Sequence, residues 1–365
     1  MPFRVAAFCL LLICSSLSGA QPTFPLRDSG ARMERVAADI YAIIHDDATD
    51  EWPHGNTGVV VGKKAVLVVD ATYLPSRARA DIELIRSVTD RPIRYLVYTH
   101  WHFDHNNGAI AYREAYPDID IVSERASSDF VVLNGTWWAK RAVRADQPKK
   151  LALADLEKQL AAGRGPEGKQ LSADARNELE HKIQKRRAEL EELGSLQIVT
   201  PNVLFERELT LELGSRSVLL RDWGRANSPH DATVYVPDAR VLFAGDILVQ
   251  SPVPYFFESW PMPWIDVLRE LERIPVAALV PGHGPVLSNH EYTRSVRVLL
   301  GAAVSRVAAM AKEGRSLEEI QSELDLSDVR NTVPVWAAKE RDDDWNVTTR
   351  ALIERAWRAV RGQGG

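Results

Sequence analysis

The segment THWHFDH, Thr99–His105, concentrates metal-binding side chains in one short stretch. It holds His100, His102, Asp104 and His105, although the whole chain has only 9 histidines. In extended backbone, side chains two residues apart point to the same side, so we expect His100 and His102 to hold one cation. Asp104 and His105 are adjacent and point differently, which lets them reach a second cation. Imidazole and carboxylate ligands together suit zinc, or a first-row metal such as iron or manganese.

Two later segments place further candidate ligands at predicted strand ends. VLFAGD ends in Asp246 directly after a glycine, and LVPGHG holds His283 between two glycines. Glycine permits tight backbone conformations that present a polar side chain at the end of a strand. Asp70 ends the run VLVVD, where it is either a partner that orients a histidine or a turn residue.

The elements around these residues are strands and helices in a layered arrangement. The cluster follows a predicted buried strand, IRYLVYT, and precedes a predicted helix, NGAIAYREAY. VAADIYAIIHD, NTGVVVGKKAVLVVDA, NVLFERELTLELGSRSVLLRD, ATVYVPD, RVLFAGD and VAALVPGHG predict further strands, and PSRARADIELIRSV and PWIDVLRELERI predict helices. Strands followed by helices occur twice. We therefore expect two mixed halves packed sheet against sheet, with helices outside.

Two regions are predicted to be largely helical. Within residues 125–196, KKLALADLEKQLAAG and SADARNELEHKIQKRRAELEELG predict a helical hairpin inserted into the main fold, with Ser172 as an N-cap. Residues 291–365 predict a C-terminal helical extension, which we expect to pack on a main domain formed by residues 21–290.

Composition and the N-terminus limit the partners and the location. A net charge of -5 without a basic stripe argues against nucleic acid, which leaves a small-molecule substrate. MPFR, the apolar run VAAFCLLLICSSL and SGAQ predict a cleavable signal peptide over residues 1–20, and hence a periplasmic or secreted protein with no membrane span after the leader is removed. A membrane anchor is the alternative. Cys9 and Cys14 both lie in this leader, so the mature protein would have neither a disulfide nor a thiolate ligand. The sequence indicates no oligomeric state.

Together, THWHFDH, ATVYVPDARVLFAGD and LVPGHG resemble the metallo-β-lactamase-fold superfamily, over the stretch from Val36 to Pro285. The resemblance implies an α+β fold, a four-layer αββα sandwich, with a dinuclear metal site at one edge of the sheets. Its pattern makes His100 and His102 ligands of the first metal, makes Asp104, His105 and His283 ligands of the second, and makes Asp246 the bridging carboxylate. Two zinc ions are the expected cofactor, and iron is the less favoured metal.

One position departs from this pattern. The family usually supplies a third ligand of the first metal from a His-Thr-x-Gly-Asp segment, whereas this chain has Asn227-Ser228-Pro229-His230-Asp231. An amide oxygen is a weaker zinc ligand than imidazole. Three hypotheses stay open: Asn227 coordinates weakly or through water, His230 replaces it, or the first site is empty or labile.

The resemblance implies hydrolysis. Bound cations lower the pKa of water from about 15.7 to about 7, which gives a hydroxide that Asp104 would orient. The target would be an ester, thioester, lactone, lactam or similar bond, and Asp246 favours the wider hydrolase branch over true β-lactamases. The groups NGTWW, PYFFESW and EWPHGN either wall an apolar pocket or lie in the core. The alternatives are a mononuclear iron oxidoreductase similar to persulfide dioxygenases, and a non-catalytic binding protein with an altered first metal site.

Overall fold

The computed structural model describes residues 31–45, 54–142, 144, 147–251 and 253–363. The predicted leader, residues 1–20, lies outside this part of the chain, so the signal peptide and export stay predictions. Trp52 and the side chains of Trp137 and Trp138 also lie outside it. In the described part, no helix combines the length and the apolar character needed to cross a bilayer.

The first sheet contains seven strands in the order of the chain. They are β1 (Arg32–Ala37), β2 (Ile40–Ile44), β3 (Thr57–Val61), β4 (Val66–Val69), β5 (Ile93–Val97), β6 (Asp120–Glu124) and β7 (Val203–Phe205). Strands β1 to β4 pair antiparallel, whereas β4 to β7 pair parallel. The carboxyl ends of four neighbouring strands therefore meet at one edge of this sheet.

The second sheet contains five strands, in the order β12-β11-β10-β9-β8. They are β8 (Glu208–Glu212), β9 (Ser217–Asp222), β10 (Ala232–Val236), β11 (Val241–Phe243) and β12 (Ala278–Val280). Only β11 and β12 pair parallel among these described strands, so their carboxyl ends also lie side by side.

Helices cover both sheets and form most of the chain after β12. They are α1 (Pro75–Val88), α2 (Phe103–Asn106), α3 (Ala109–Ala115), α4 (Arg125–Ala142), α5 (Pro148–Ala162), α6 (Ala173–Gly194), α7 (Pro261–Leu271), α8 (Glu291–Lys312), α9 (Leu317–Glu323), α10 (Ser327–Arg330), α11 (Pro334–Ala337) and α12 (Asp342–Val360). A short 3₁₀ turn follows β11 at Gly245–Ile247, and another precedes α12 at Lys339–Arg341.

Side-chain alternation along the strands produces the four layers. On β3 and β4, Val60 and Val69 belong to the core between the sheets, whereas Val59 and Val68 belong to a second core that includes residues of α1 and α3. A third core lies on the other face of the second sheet and includes residues of α7, α8 and α12. A period of two in the sequence thus places one apolar set on each face of a strand. The expected αββα sandwich is confirmed.

The inserted region contains three helices, so the prediction of a hairpin alone was incomplete. The hairpin is α5 and α6, and α4 precedes it directly after β6. The sequence of α4 contains Ser, Asn, Gly and Thr, which are weak helix formers, and this hid the helix from a pattern-based assignment. Leu190 and Leu193 of α6 pack with Tyr73, Leu74 and Phe103. Since Phe103 lies between His102 and Asp104, the insert contacts the His-rich segment.

The C-terminal helices share a core with the second sheet. Trp336 and Leu352 are buried in the same cluster as Leu242 and Leu279 of β11 and β12. The Trp336 indole donates a hydrogen bond to the Tyr292 hydroxyl at 3.0 Å. These helices therefore contribute to the hydrophobic layer that supports the strand ends of the second sheet.

Trp336→Ala tests this shared core. We expect it to lower the free energy of unfolding by about 3–5 kcal/mol, because it removes a fully buried indole. Trp336→Phe is the matched control. It keeps an aromatic ring, loses only the N–H donor and part of the volume, and should cost about 1–2 kcal/mol. Denaturant unfolding followed by circular dichroism measures both. An unchanged midpoint for Trp336→Ala would mean that the C-terminal helices do not stabilise the sandwich.

Candidate metal centre

The six residues predicted from the motifs meet at the carboxyl ends of the parallel strands. Candidate ligand atoms of Asp104, His105, Asp246 and His283 lie within 4.8 Å of one another, and so do those of His100, His102 and Asp246. Asp246 belongs to both groups. The geometry therefore provides two adjacent sets of donors that share one carboxylate, an arrangement that suits a dinuclear site.

The backbone of the His-rich segment changes conformation at the point where the two sets divide. His102 is still extended, with φ -60° and ψ 141°, and it caps the short helix α2, which contains Asp104 and His105. Bends at residues 99–101 precede it, yet His100 and His102 contribute to one group of donors, and the helical turn places the next two donors in the other group. This is the division that the spacing predicted.

Two glycines allow Asp246 to approach the loop of His283. A Cβ atom at Gly282 would lie 2.0 Å from Asp246 Oδ1, so position 282 excludes every side chain. Gly245 has a φ of 52°, in the left-handed region, and a Cβ there would also meet Thr99 at 2.7 Å. Close packing at one position and backbone conformation at the other thus explain the glycines beside these two candidate ligands.

Asp70 contacts His105 and has left-handed backbone directly after β4. Its Oδ2 lies 2.8 Å from His105 Nδ1. The same carboxylate accepts hydrogen bonds from the Thr99 backbone N–H at 2.8 Å and the Thr99 hydroxyl at 2.9 Å. With a φ of 61°, Asp70 adopts left-handed backbone, but the chain forms no turn there, so the contact with His105 favours the orienting partner over the turn residue. The contact fixes the ring of His105 and directs Nε2 towards Asp246, at 3.1 Å.

The charges in the centre favour a bound cation. Burial acts to raise the pKa of Asp104, but His105 and His283 outweigh it and hold that pKa well below its usual value. Burial acts to lower the pKa of His105, yet the carboxylates of Asp246, Asp104 and Asp70 raise it well above the ordinary value. By contrast, burial and the neighbouring histidines lower the pKa of His100, which keeps its imidazole neutral and able to bind a metal.

The donor chemistry of the centre fits zinc. His100 is fully buried and its Nδ1 lies 3.0 Å from the Thr99 hydroxyl, while its Nε2 has no hydrogen-bond partner among the described residues. His100 Nε2 lies 3.7 Å from Asp246 Oδ2, and His283 Nε2 lies 3.1 Å from Asp104 Oδ2. In tetrahedral zinc sites, bonds of about 2.0 Å to nitrogen and oxygen place neighbouring ligand atoms about 3.3 Å apart. The observed separations are close to this spacing. The residues present therefore fit the metal that the sequence predicts.

Asn227, which stands where the family pattern has a histidine, has a hydrogen-bond partner for its amide nitrogen but none described for its amide oxygen. Its Nδ2 donates to the Tyr255 carbonyl at 2.9 Å, and the neighbouring Ala226 carbonyl accepts from the Trp260 N–H at 2.8 Å. Asn227 is buried, and its Oδ1 finds no hydrogen-bond partner in the described part of the chain. The amide nitrogen thus holds the loop that contains Tyr255, and the oxygen is left for a further ligand.

His230 does not join His100 and His102. Its Nδ1 instead lies 3.3 Å from Asp222 Oδ2 and 3.5 Å from Glu124 Oε2, in a separate group of donors. The hypothesis that His230 replaces the missing histidine therefore disagrees with the observed geometry. The reason is local. Ser228 and Pro229 separate Asn227 from His230, and the carboxylates of Asp222 and Glu124 attract the His230 ring.

Two residues near the centre were missed at the sequence level. Glu258 lies in the loop before α7, and its Oε2 is 3.5 Å from His102 Nε2. Asp231 is buried, which raises its pKa to about 7, and its Oδ2 accepts from the Ser228 N–H at 2.7 Å and so fixes the turn beside Asn227. A charge inside the aromatic run PYFFESW was the available signal for Glu258.

The aromatic groups divide between core and surface. Phe256 and His54 are fully buried, so they belong to the core alternative. Phe257 is 56% exposed, and its ring is stacked on that of Tyr255 with the centroids 6.1 Å apart. The Tyr255–Phe257 pair therefore offers apolar surface on the loop that also contains Glu258.

Comparison with known proteins supports the fold. A family model described as the metallo-beta-lactamase superfamily matches residues 50–283. The linear primary-alkylsulfatase of Pseudomonas sp. (strain ATCC 19151) is 22% identical over 262 residues, which cover 68% of this chain and 45% of that protein. The chain thus spans about half the length of this relative.

Two solved structures show the same architecture. The stereoselective inverting sec-alkylsulfatase Pisa1 from Pseudomonas sp. superimposes with a TM-score of 0.59 at 16% identity, over 90% of this chain and 50% of that one. The DIM-1 metallo-β-lactamase gives a TM-score of 0.51 at 15% identity, over 75% of this chain and 98% of that one. At such low identities these likenesses establish the fold alone.

Asp70→Asn tests the orienting contact. We expect it to weaken metal binding about 10–100-fold, because it removes the charged acceptor that fixes the ring of His105. Asp81→Asn is the matched control. Asp81 is an equally buried carboxylate that accepts from the Thr57 hydroxyl at 2.7 Å, and no contact in the described part of the chain joins it to a predicted ligand. Chelator competition measures both affinities. Equal losses in the two variants would show that Asp70 acts through general stability.

Asn227→His tests the first metal group. We expect this variant to bind the more weakly held ion more tightly than the wild type, because imidazole is a better zinc ligand than an amide. Asn227→Ala removes the hydrogen bond to Tyr255 without adding a ligand, and it is the matched control. Metal retained during dialysis against a mild chelator measures both. A histidine variant that loses metal as readily as the alanine variant would exclude position 227 as a ligand position.

Proposed function

Because the chain belongs to the metallo-β-lactamase superfamily, we propose that it is a metal-dependent hydrolase of a small-molecule substrate, with two zinc ions at the centre. One observation carries the proposal: Asp246 is shared by two groups of buried imidazole and carboxylate donors. A single structural ion would need only one such group. A pair of ions held by a common carboxylate is the arrangement used to activate water and substrate together.

Six residues would hold the two ions. His100, His102 and Asp246 would bind the first, with Asn227 as a weaker contributor, and Asp104, His105, His283 and Asp246 would bind the second. When bound, the ions would supply a water of lowered pKa and would polarise an oxygen of the substrate. The first ion has fewer strong ligands, so we expect it to be lost more easily.

The side chains around the ions have separate tasks. Asp104 has a lowered pKa and stays ionised at neutral pH, so it accepts a hydrogen bond and orients water rather than donating a proton. The contacts of Asp70 with His105 and of Thr99 with His100 fix the rings of these two histidines. The insert, packed on Phe103, would limit the access of bulk water from that side.

We further propose a sulfate ester as the substrate class. The curated relative is an alkylsulfatase. Two guanidinium groups lie near the Trp260 ring, with Arg355 of α12 at 5.1 Å and Arg225 at 5.6 Å from its centroid. Trp260 lies two residues after Glu258, which approaches His102. Guanidinium groups bind tetrahedral oxyanions well. The exposed Phe257 ring would contact an alkyl group attached to the sulfate.

Hydrolysis tests on the metal-replete protein check this proposal. We expect turnover of alkyl and aryl sulfates above that of matched phosphodiesters, carboxylic esters, lactones and β-lactams. Asp104→Ala should lower this turnover by about 100-fold or more, because it removes a metal ligand and the group that orients water. Asp118→Ala, a change to an exposed carboxylate, is the control and should leave turnover unchanged.

Each contrary result has a distinct meaning. Preferential hydrolysis of another bond would remove the sulfate ester and keep the hydrolase. Full activity in Asp104→Ala would remove the dinuclear mechanism. Iron as the bound metal, together with oxygen uptake on persulfides, would replace hydrolysis with the oxidoreductase alternative.

A further inference from the structure

A second group of donors lies outside the proposed dinuclear centre. It consists of Glu124, Asp222 and His230, whose candidate ligand atoms lie within 4.8 Å of one another. Glu124 ends β6 in the first sheet, Asp222 ends β9 in the second, and His230 lies in the loop that follows β9. Three separate parts of the chain, from both sheets, thus converge on one point.

The distances in this group are long for charge-assisted hydrogen bonds and match the separations between ligands of one cation. Both carboxylates approach the same atom, His230 Nδ1, with Asp222 Oδ2 at 3.3 Å and Glu124 Oε2 at 3.5 Å. A charge-assisted N–H···O bond is usually about 2.7–2.9 Å long, so the 3.3 Å contact of His230 Nδ1 with Asp222 Oδ2 is a long hydrogen bond, and Glu124 lies farther still from the same atom. Neighbouring ligands around zinc lie about 3.3 Å apart. The same range of separations occurs between the donors of the dinuclear centre, at 3.1 Å and 3.7 Å.

The two carboxylates are already held in place by backbone donors. Glu124 Oε2 accepts from the Ser127 N–H at 2.7 Å, and Asp222 Oδ1 accepts from the Gly224 N–H at 3.1 Å. Glu124 is buried and the Asp222 side chain is only 11% exposed, so water screens their charges poorly. Fixed, poorly solvated carboxylates with a histidine between them form a pre-organised set of ligands.

The nearby cations of the described chain are directed elsewhere. Arg221 lies 4.0 Å above the Trp223 ring and 3.7 Å from Glu208. Arg125 lies 3.6 Å from Glu206. Two carboxylates therefore face one imidazole, and even a protonated His230 would leave a negative charge uncompensated. A divalent cation removes that excess.

We propose that Glu124, Asp222 and His230 bind a divalent cation of the zinc or manganese class, at a site separate from the dinuclear centre. One nitrogen and two carboxylate oxygens are suitable donors for these ions. The cation would join the end of β6 to the end of β9 and to the loop of His230. Because this loop also contains Asn227 and Asp231, the ion would stabilise the side of the centre where the first metal group is incomplete.

Metal stoichiometry tests this site. After saturation with zinc and desalting, wild type and His230→Gln are compared by elemental analysis. We expect His230→Gln to contain one ion per chain fewer than wild type, whatever number the dinuclear centre holds. His181→Gln changes an exposed histidine on α6 and is the matched control, which should keep the wild-type number. This difference does not depend on hydrolysis, so it remains informative if the proposed function is wrong.

Asp222→Asn provides a second measurement that does not depend on a single variant. The change conserves the shape of the side chain, and the melting temperature of each protein is measured with chelator and with added zinc. We expect the zinc-dependent rise in melting temperature to be smaller in Asp222→Asn and His230→Gln than in wild type and His181→Gln. Unchanged stoichiometry in His230→Gln, or the same zinc-dependent rise in all four proteins, would overturn the proposal and leave an ordinary ion pair.

Discussion

The buried negative charge around Asp246 is the constraint on which the centre depends. Asp104 and Asp246 place carboxylate oxygens within 4.8 Å of each other in surroundings that water barely reaches. Two like charges in such a position are unfavourable unless positive charge lies between them. The raised pKa of His105 and the lowered pKa of Asp104 are two signs of this demand. Divalent cations meet it more completely than protonated histidines, and they leave the imidazoles as ligands.

The fold meets this demand by bringing strand ends of both sheets to one edge and connecting them. The Ala232 N–H donates to the Thr99 carbonyl at 2.8 Å, which joins the first turn of the His-rich segment to β10. The Asn56 amide donates to the Pro281 and Gly284 carbonyls on either side of the loop that contains His283. These contacts fix the positions of the ligands before a metal binds. Pre-organisation of this kind reduces the entropy that ordering the site would otherwise cost.

The sequence predicted the local parts of this arrangement and missed the distant ones. The spacing of the motif predicted that His100 and His102 would separate from Asp104 and His105, and the two donor groups divide in this way. The bounds of α1 followed from an apolar repeat and a proline at its start. The helix α4 lacked such signals. Contacts of Glu258 with His102, and of Glu124 with His230, join residues that are far apart in the chain, and only the topology of the two sheets determines them.

Asn227, which replaces the histidine of the family pattern, divides its two polar atoms between two tasks. An asparagine offers a donor and an acceptor on one short side chain, and here the donor holds the Tyr255 carbonyl while the acceptor has no described partner. A histidine at this position would also have one ring nitrogen left to donate a hydrogen bond while the other binds a metal. Its rigid ring is larger than the amide and fixes the angle between the metal bond and the hydrogen bond. Under the proposed assignment, the chain would combine a weaker first metal group with a loop supported from inside the site. Since that loop contains Glu258 and the exposed Phe257, the proposed assignment would link the affinity of the first site to the shape of the proposed substrate surface through Asn227.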